Sequence, residues 1–155
     1  AETLAQIAIN TADLAYAFDI PPRIAMLSYS NFGTSDHQYA RQMAEATRIV
    51  KRQRPDLEVD GEMQVVPALD EEHRESTFEF AELSTNANVL IFPNLDAGNI
   101  AYKMMQHLAG DEVIGPILLG MEQPVNVLAL GSSVSSIVNL TVITALRAQV
   151  ADQQT

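Results

Sequence analysis

Hydroxyls at Ser28, Ser30 and Thr34 and an amide at Asn31 crowd into residues 23–35, RIAMLSYSNFGTS, directly behind an apolar run. Short polar side chains at a strand end, where a turn opens a helix, suit an anion or a phosphate ester. The backbone N–H groups of such a helix start donate to a negative group, and nearby hydroxyls can add to them. Open α/β sheets place their ligand crevices at such strand ends. An ordinary strand–turn–helix junction has the same composition, so this segment alone leaves both readings open. A second junction of the same kind occupies residues 93–99, PNLDAGN. There Asp96 is expected to cap a helix. Asn94 and Asn99 are then free for a polar ligand, because an amide donates and accepts at once.

Glu58, Asp60 and Glu62 are the third polar grouping. Residues 57–66 alternate, with Leu57, Val59, Met63 and Val65 against Glu58, Asp60, Glu62 and Gln64. That pattern predicts a strand with one face in water. The two-residue repeat sets these carboxylates about 6–7 Å apart at Cβ, near enough for a hard cation. Solvation of an outward face accounts for them without one, and no metal site is expected. His37, His73 and His107 lie on separate polar segments without ligand spacing. No Ser/His/Asp order, Walker loop, GxGxxG fingerprint or HExxH occurs.

The elements that must position these groups follow from periodicity. Residues 2–18 carry a helical stripe of Leu4, Ile7, Ala8, Leu14, Ala15 and Phe18, stopped by Pro21 and Pro22. Residues 23–30 read as a buried strand. Ser35 or Asp36 is expected to cap a helix to about Arg54, with Tyr39, Met43, Ala46, Ile49 and Val50 inward. Residues 67–84 hold one or two short helical turns, and 89–93 a compact buried strand. A helix follows from Asp96 to about Ala109, with Ile100, Met104, Met105 and Leu108 inward and Gly110 as its stop. Residues 113–121 and 125–130 read as two more strands. Ser132 opens a last helix to about Ala151. Strands alternating with amphipathic helices predict an α/β fold with a mostly parallel sheet covered on both faces.

The 155 residues are 47% apolar and 19% charged, with a net charge of −11, which is the composition of a globular domain. Without a basic patch, that charge excludes nucleic acid and anionic membrane surfaces as partners. No cysteine is present, so neither a disulfide framework nor a thiolate site can form. No apolar run reaches the roughly 18 residues of a membrane span. The opening AETLAQIAI has no basic region like that of a signal peptide. It also has no initiator Met, so a piece of a longer cytoplasmic polypeptide is expected.

Five segments carry a resemblance that runs nearly the whole length in order: RIAMLSYS, PDLEVDGEMQ, NVLIFPNLDAGNIAYK, IGPILLGMEQPVNVL and GSSVSSIVN. They resemble the second half of the phosphate acetyltransferase (phosphotransacetylase) family domain. The resemblance implies a three-layer α/β/α fold with a mostly parallel sheet, like that of isocitrate and isopropylmalate dehydrogenases. It implies that residues 1–118 are an inserted α/β subdomain. Residues 119–155 would be a return strand and C-terminal helix completing the first subdomain, whose N-terminal part is absent from this chain. It also implies a dimer that binds CoA esters in a cleft.

The departures from the family pattern point to one branch. Active members follow Pro-Val-Asn with Asp-Leu-Ser-Arg-Gly and place an acidic residue early in the last helix. Here Pro124-Val125-Asn126 is followed by Val127-Leu128-Ala129-Leu130-Gly131, and Ser136 stands where the acid is expected. Acetyl transfer to phosphate needs cationic donors for the anion and a base for the thiol, and Ala129 and Leu130 supply neither. Asp36 at the start of the second helix puts a carboxylate at the positive end of the dipole. The Ser-Asn-Phe-Gly turn and the Asp-Gly-Glu-Met strand resemble the phosphotransacetylase-like C-terminal domain of bacterial NADP-dependent malic enzymes. That resemblance implies a non-catalytic regulatory domain that senses acetyl-CoA or a related CoA ester and aids a homo-oligomer, dimer or higher. NADP and a divalent metal would belong only to a separate catalytic portion. The expected ligand-binding residues are Ser28, Ser30, Asn31, Thr34, Asn94, Asn99 and Asn126. An active phosphate acetyltransferase and an inert dimerisation scaffold are the alternatives.

Overall fold

The computed structural model describes residues 1–108, 113–128 and 130–153. They divide into two compact units, Ala1–Ala101 and Tyr102–Thr155. No helix among them is long and apolar enough to cross a membrane.

The first unit is built on a parallel sheet of β1 (Arg23–Leu27), β2 (Glu58–Met63) and β3 (Val89–Ile91), in the order β2-β1-β3. The apolar run of β1 is buried on both faces, as expected of a central parallel strand. Ile24 and Met26 face α1 (Glu2–Ala17) and α2 (Gln38–Gln53), in a core with Leu4, Ala8, Met43 and Val50. Ala25 and Leu27 point the other way and join Met63, Ala68, Leu83 and Ala87. On that side lie α3 (Val65–Leu69) and α4 (Glu71–Thr77), so the expected three-layer α/β/α arrangement is present. Arg54, at the end of α2, donates to Asp56 at 2.9 and 2.8 Å and to Asp13 of α1 at 2.8 Å. The bonds to Asp56 and then Asp13 raise its pKa above the ordinary value. The same guanidinium holds the Asp56 carboxyl below the usual range.

Several local expectations shift. The buried stripe of α1 is Leu4, Ala5, Ala8, Ile9 and Ala12, while Ile7 is exposed. α2 starts after His37, whose ring nitrogen accepts the Tyr39 N–H, and Tyr39 points to solvent. β2 departs most from expectation. Val59 packs with α1 and α2, but Met63 packs on the opposite face. The register against β1 slips between Met26 and Leu27, beside Gly61 at φ 135°. A bulge adds one residue and turns the later side chains over, which ends strict alternation.

α5 (Leu95–Leu108) is capped by Asn94, not Asp96: the Asn94 side-chain oxygen accepts the Ala97 N–H at 2.9 Å. Asn94→Ala is therefore expected to cost about 1 kcal/mol and to lower amide protection in the first turn of α5, read by hydrogen exchange. Ile100 and Leu108 of this helix are 60% and 71% exposed, against the inward stripe expected. The stop expected at Gly110 lies outside the described residues.

In the second unit, the described residues of 113–121 and 125–130 form no strand, and Ala129 lies outside them. A strand exists only with a hydrogen-bonded neighbour, and among the described residues none pairs with these segments. They are held by side chains instead. Asn126 accepts the Leu118 N–H at 3.0 Å and donates to the Thr144 hydroxyl at 2.8 Å. Arg147 donates to the Leu118 carbonyl at 2.8 Å. α6 (Val134–Gln153) begins one residue later than expected, with Ser133 as its cap.

Candidate functional site at the end of the first strand

β1 empties into a turn that holds four of the expected ligand residues together. Ser30 is buried at its centre. Its hydroxyl donates to the Glu62 carboxylate at 2.8 Å and accepts the Ser35 N–H at 3.1 Å. The Ser28 side chain accepts the Ser30 N–H at 3.2 Å, and that of Thr34 accepts the Asn31 N–H at 2.9 Å. Asn31 reaches back to the residue that follows β2, where its side-chain oxygen accepts the Gln64 N–H at 2.7 Å. Gln64 in turn donates to the Tyr29 carbonyl at 2.7 Å. Phe32 and Gly33 adopt φ 47° and 88°. That conformation curls their N–H groups inward, one onto the Glu62 carbonyl and one onto its carboxylate, each at 2.7 Å.

β1 and β3 are neighbouring parallel strands, so the junction holding Asn94 and Asn99 lies at the same edge of the sheet. Asn94 is engaged as a helix cap; Asn99 stands exposed in α5. Asn126 belongs to the second unit, where it clamps Leu118 to Thr144.

The carboxylates of β2 are the residues that periodicity misread. Asp60 and Glu62 are 4% and 2% exposed, not solvated. Each acid accepts a loop N–H: Glu58 that of Ser84 at 2.5 Å, Asp60 that of Glu82 at 2.7 Å, and Glu62 that of Gly33. The row fastens covering loops to an edge strand. Among the described residues no group of three metal-ligating side chains could hold an ion.

Beside the turn lies a cavity of about 700 Å³, lined by Phe32, Gly33, Arg41, Lys51, Glu62 and Phe80 among others. Periodicity assigned no role to Arg41 or Lys51. Arg41 is paired with Asp36 at 2.8 Å, and Lys51 with Glu82 at 2.8 Å and Asp60 at 3.6 Å. The rings of Phe32, Phe78 and Phe80 cluster at centroid distances of 5.1 to 6.1 Å. The only mark of this cluster in the sequence is two phenylalanines inside an acidic stretch.

Residues 1–145 match the profile of a family described as phosphate acetyl/butaryl transferase. The chain belongs to this family. It is 42% identical over 147 residues to a phosphate acetyltransferase of Bacillus subtilis, covering 95% of the chain and 46% of that protein. It is 40% identical over 149 residues to an NADP-dependent malic enzyme of Haemophilus influenzae, covering 96% of the chain and 20% of that protein. A phosphotransacetylase from Streptococcus pyogenes superposes with a TM-score of 0.89 at 43% identity, covering 95% of the chain and 45% of that structure. The chain thus spans less than half the length of each of these relatives. Identities of 42% and 40% do not separate a transferase from a malic enzyme, so individual residues must. In this phosphotransacetylase-like chain, Ser136 is committed to a helix start. Its N–H donates to the Ser133 hydroxyl at 3.1 Å, and the two hydroxyls lie 2.8 Å apart.

Proposed function

We propose that this phosphotransacetylase-like chain is the regulatory, non-catalytic part of a cytoplasmic, homo-oligomeric NADP-dependent malic enzyme, which converts malate to pyruvate. It binds acetyl-CoA or a related CoA ester. The observation that carries this reading is the run Ala129-Leu130 with Ser136, where transferases of this family are expected to have a serine, an arginine and an acid. A methyl and an isobutyl group can neither hold a transferable phosphate nor ionise a thiol, and a serine hydroxyl in place of the acid is no base for the thiol. A malic enzyme is among the relatives, at 40% identity against 42% for a transferase, so the choice of branch rests on these residues. Ser28, Ser30, Asn31 and Thr34 form the proposed ligand turn, with Asn94 and Asn99 at the neighbouring strand end and Asn126 as a further candidate.

Regulation of this kind requires acetyl-CoA to bind two states of the protein unequally, typically by about 1–3 kcal/mol. Calorimetric titration of the full-length protein with acetyl-CoA is expected to give saturable heat, with malate oxidation falling over the same concentrations. Acetyl phosphate formation is expected to stay at background. Robust turnover to acetyl phosphate would instead identify an active transferase, and no heat with no change in malate oxidation would identify a scaffold.

A further inference from the structure

The ligand turn is already full. From Ser30 to Ser35 every backbone N–H has a partner inside the chain: Ser30 on the Ser28 side chain, Asn31 on that of Thr34, Phe32 on the Glu62 carbonyl, Gly33 on the Glu62 carboxylate, Thr34 on the Asn31 carbonyl and Ser35 on the Ser30 hydroxyl. Two successive residues at positive φ turn their N–H groups to one side, which is how backbone builds a concave seat for an anion. Both N–H groups are taken by Glu62 of the neighbouring strand, that of Phe32 by its backbone carbonyl and that of Gly33 by its buried carboxylate.

We propose that Glu62 is the resident anion of the β1–α2 turn and sets what the turn can recognise. Its Oε1 accepts both the Ser30 hydroxyl and the Gly33 N–H. A phosphate in the same seat would have to displace a side chain that is fixed to a strand and bonded to both Ser30 and Gly33; Asp36 at the rim is paired with Arg41 at 2.8 Å, so the exclusion rests on Glu62. The turn therefore rejects phosphate. What it presents outward are hydroxyl and amide edges, which suit an uncharged hydrogen-bonding group. If the ligand is a CoA ester, as in the function proposed above, the turn meets its amide-bearing arm and the phosphates lie elsewhere. Only this last step rests on that reading.

The test uses acetate and inorganic phosphate, so its outcome is independent of whether acetyl-CoA binds. Glu62→Ala removes a carboxymethyl group, for which acetate is the isostere, and leaves the Ser30 hydroxyl and Gly33 N–H without their acceptor. In the full-length protein this variant is expected to melt lower than wild type. Acetate should restore its Tm saturably, beyond matched chloride, while wild type and Glu62→Gln, which keeps an acceptor oxygen, should show no acetate-specific rise. Crystals of the wild-type protein soaked in phosphate are expected to show none within hydrogen-bond distance of the Gly33 nitrogen, and this holds as a test even where Glu62→Ala does not fold. Acetate acting on Glu62→Ala no better than chloride, or phosphate seated on Gly33 of the wild type, would overturn the proposal.

Discussion

Arg74→Ala is expected to be among the most destabilising single substitutions in this chain, at roughly 3–5 kcal/mol. Arg74 is 1% exposed and sits in α4. Its guanidinium donates to the Pro67 carbonyl at 2.9 Å, the Leu83 carbonyl at 3.2 Å and the Thr85 carbonyl at 2.9 Å. One planar fork thus ties the end of α3, its own helix and the loop leading to β3. Truncation leaves three carbonyl oxygens short of a donor and a cavity where the side chain lay. Against a typical domain stability of about 5–15 kcal/mol, that loss is large. Arg74→Lys should recover little, because a single ammonium cannot reach three acceptors set out for a fork. Arg48→Ala is the control: its partner Glu45 is 3.0 Å away on the surface, and such pairs contribute well under about 1 kcal/mol. Hydrogen exchange on the full-length protein should show α3 and α4 losing protection in Arg74→Ala and remaining protected in Arg48→Ala.

Arg74 also illustrates what the sequence could and could not disclose. Nothing in a polar stretch such as EEHREST marks one arginine as buried, since its three acceptors are backbone carbonyls outside that stretch, in α3 and in the loop before β3. The sheet was legible because its causes are local. RIAML is apolar throughout and therefore buried on both faces, and the polar run after it had to be the turn. The acidic row was misread because alternation reports an outward face only when nothing covers it. The cover here is the 78–84 loop, fastened by Glu58 and Asp60, together with the turn after β1, fastened by Glu62; neither has periodicity. The glycine within EVDGEM was the one available sign of a bulge, and the bulge is what turns Met63 away from Val59. The strands expected near 117 and 127 failed for the opposite reason: their apolar pattern is genuine, but a ladder needs a second strand. In the site itself, hydroxyls clustered after β1 were enough to locate the turn. That the Gly33 N–H is taken by the Glu62 carboxylate depends on a contact 29 residues away in sequence, which no local pattern records.

Gly61→Ala is expected to damage fold and site together. Gly61 lies opposite Met26 in the β1–β2 ladder with φ +135°, and an added Cβ would meet the Met26 carbonyl oxygen at 2.7 Å and its Cβ at 3.0 Å. Those atoms belong to a central strand and cannot step aside. Backbone strain of about 1–3 kcal/mol then adds to an overpacking cost of about 1–3 kcal/mol. Gly33→Ala makes the comparison informative. Gly33 has φ +88° but nothing within 4 Å of a built Cβ, so only the conformational cost of about 1–2 kcal/mol applies. The expected order in thermal denaturation is therefore wild type, then Gly33→Ala, then Gly61→Ala well below both. The larger loss should also reach the turn, because Gly61 precedes the residue whose carboxylate holds Ser30 and Gly33. Pushing β2 off β1 moves Glu62, and the turn loses its anion without any change in its own sequence. Acetyl-CoA binding by the full-length protein should accordingly weaken more in Gly61→Ala than in Gly33→Ala, although Gly33 is the residue inside the turn. Equal weakening, or the reverse order, would mean that the strand does not set the shape of the turn.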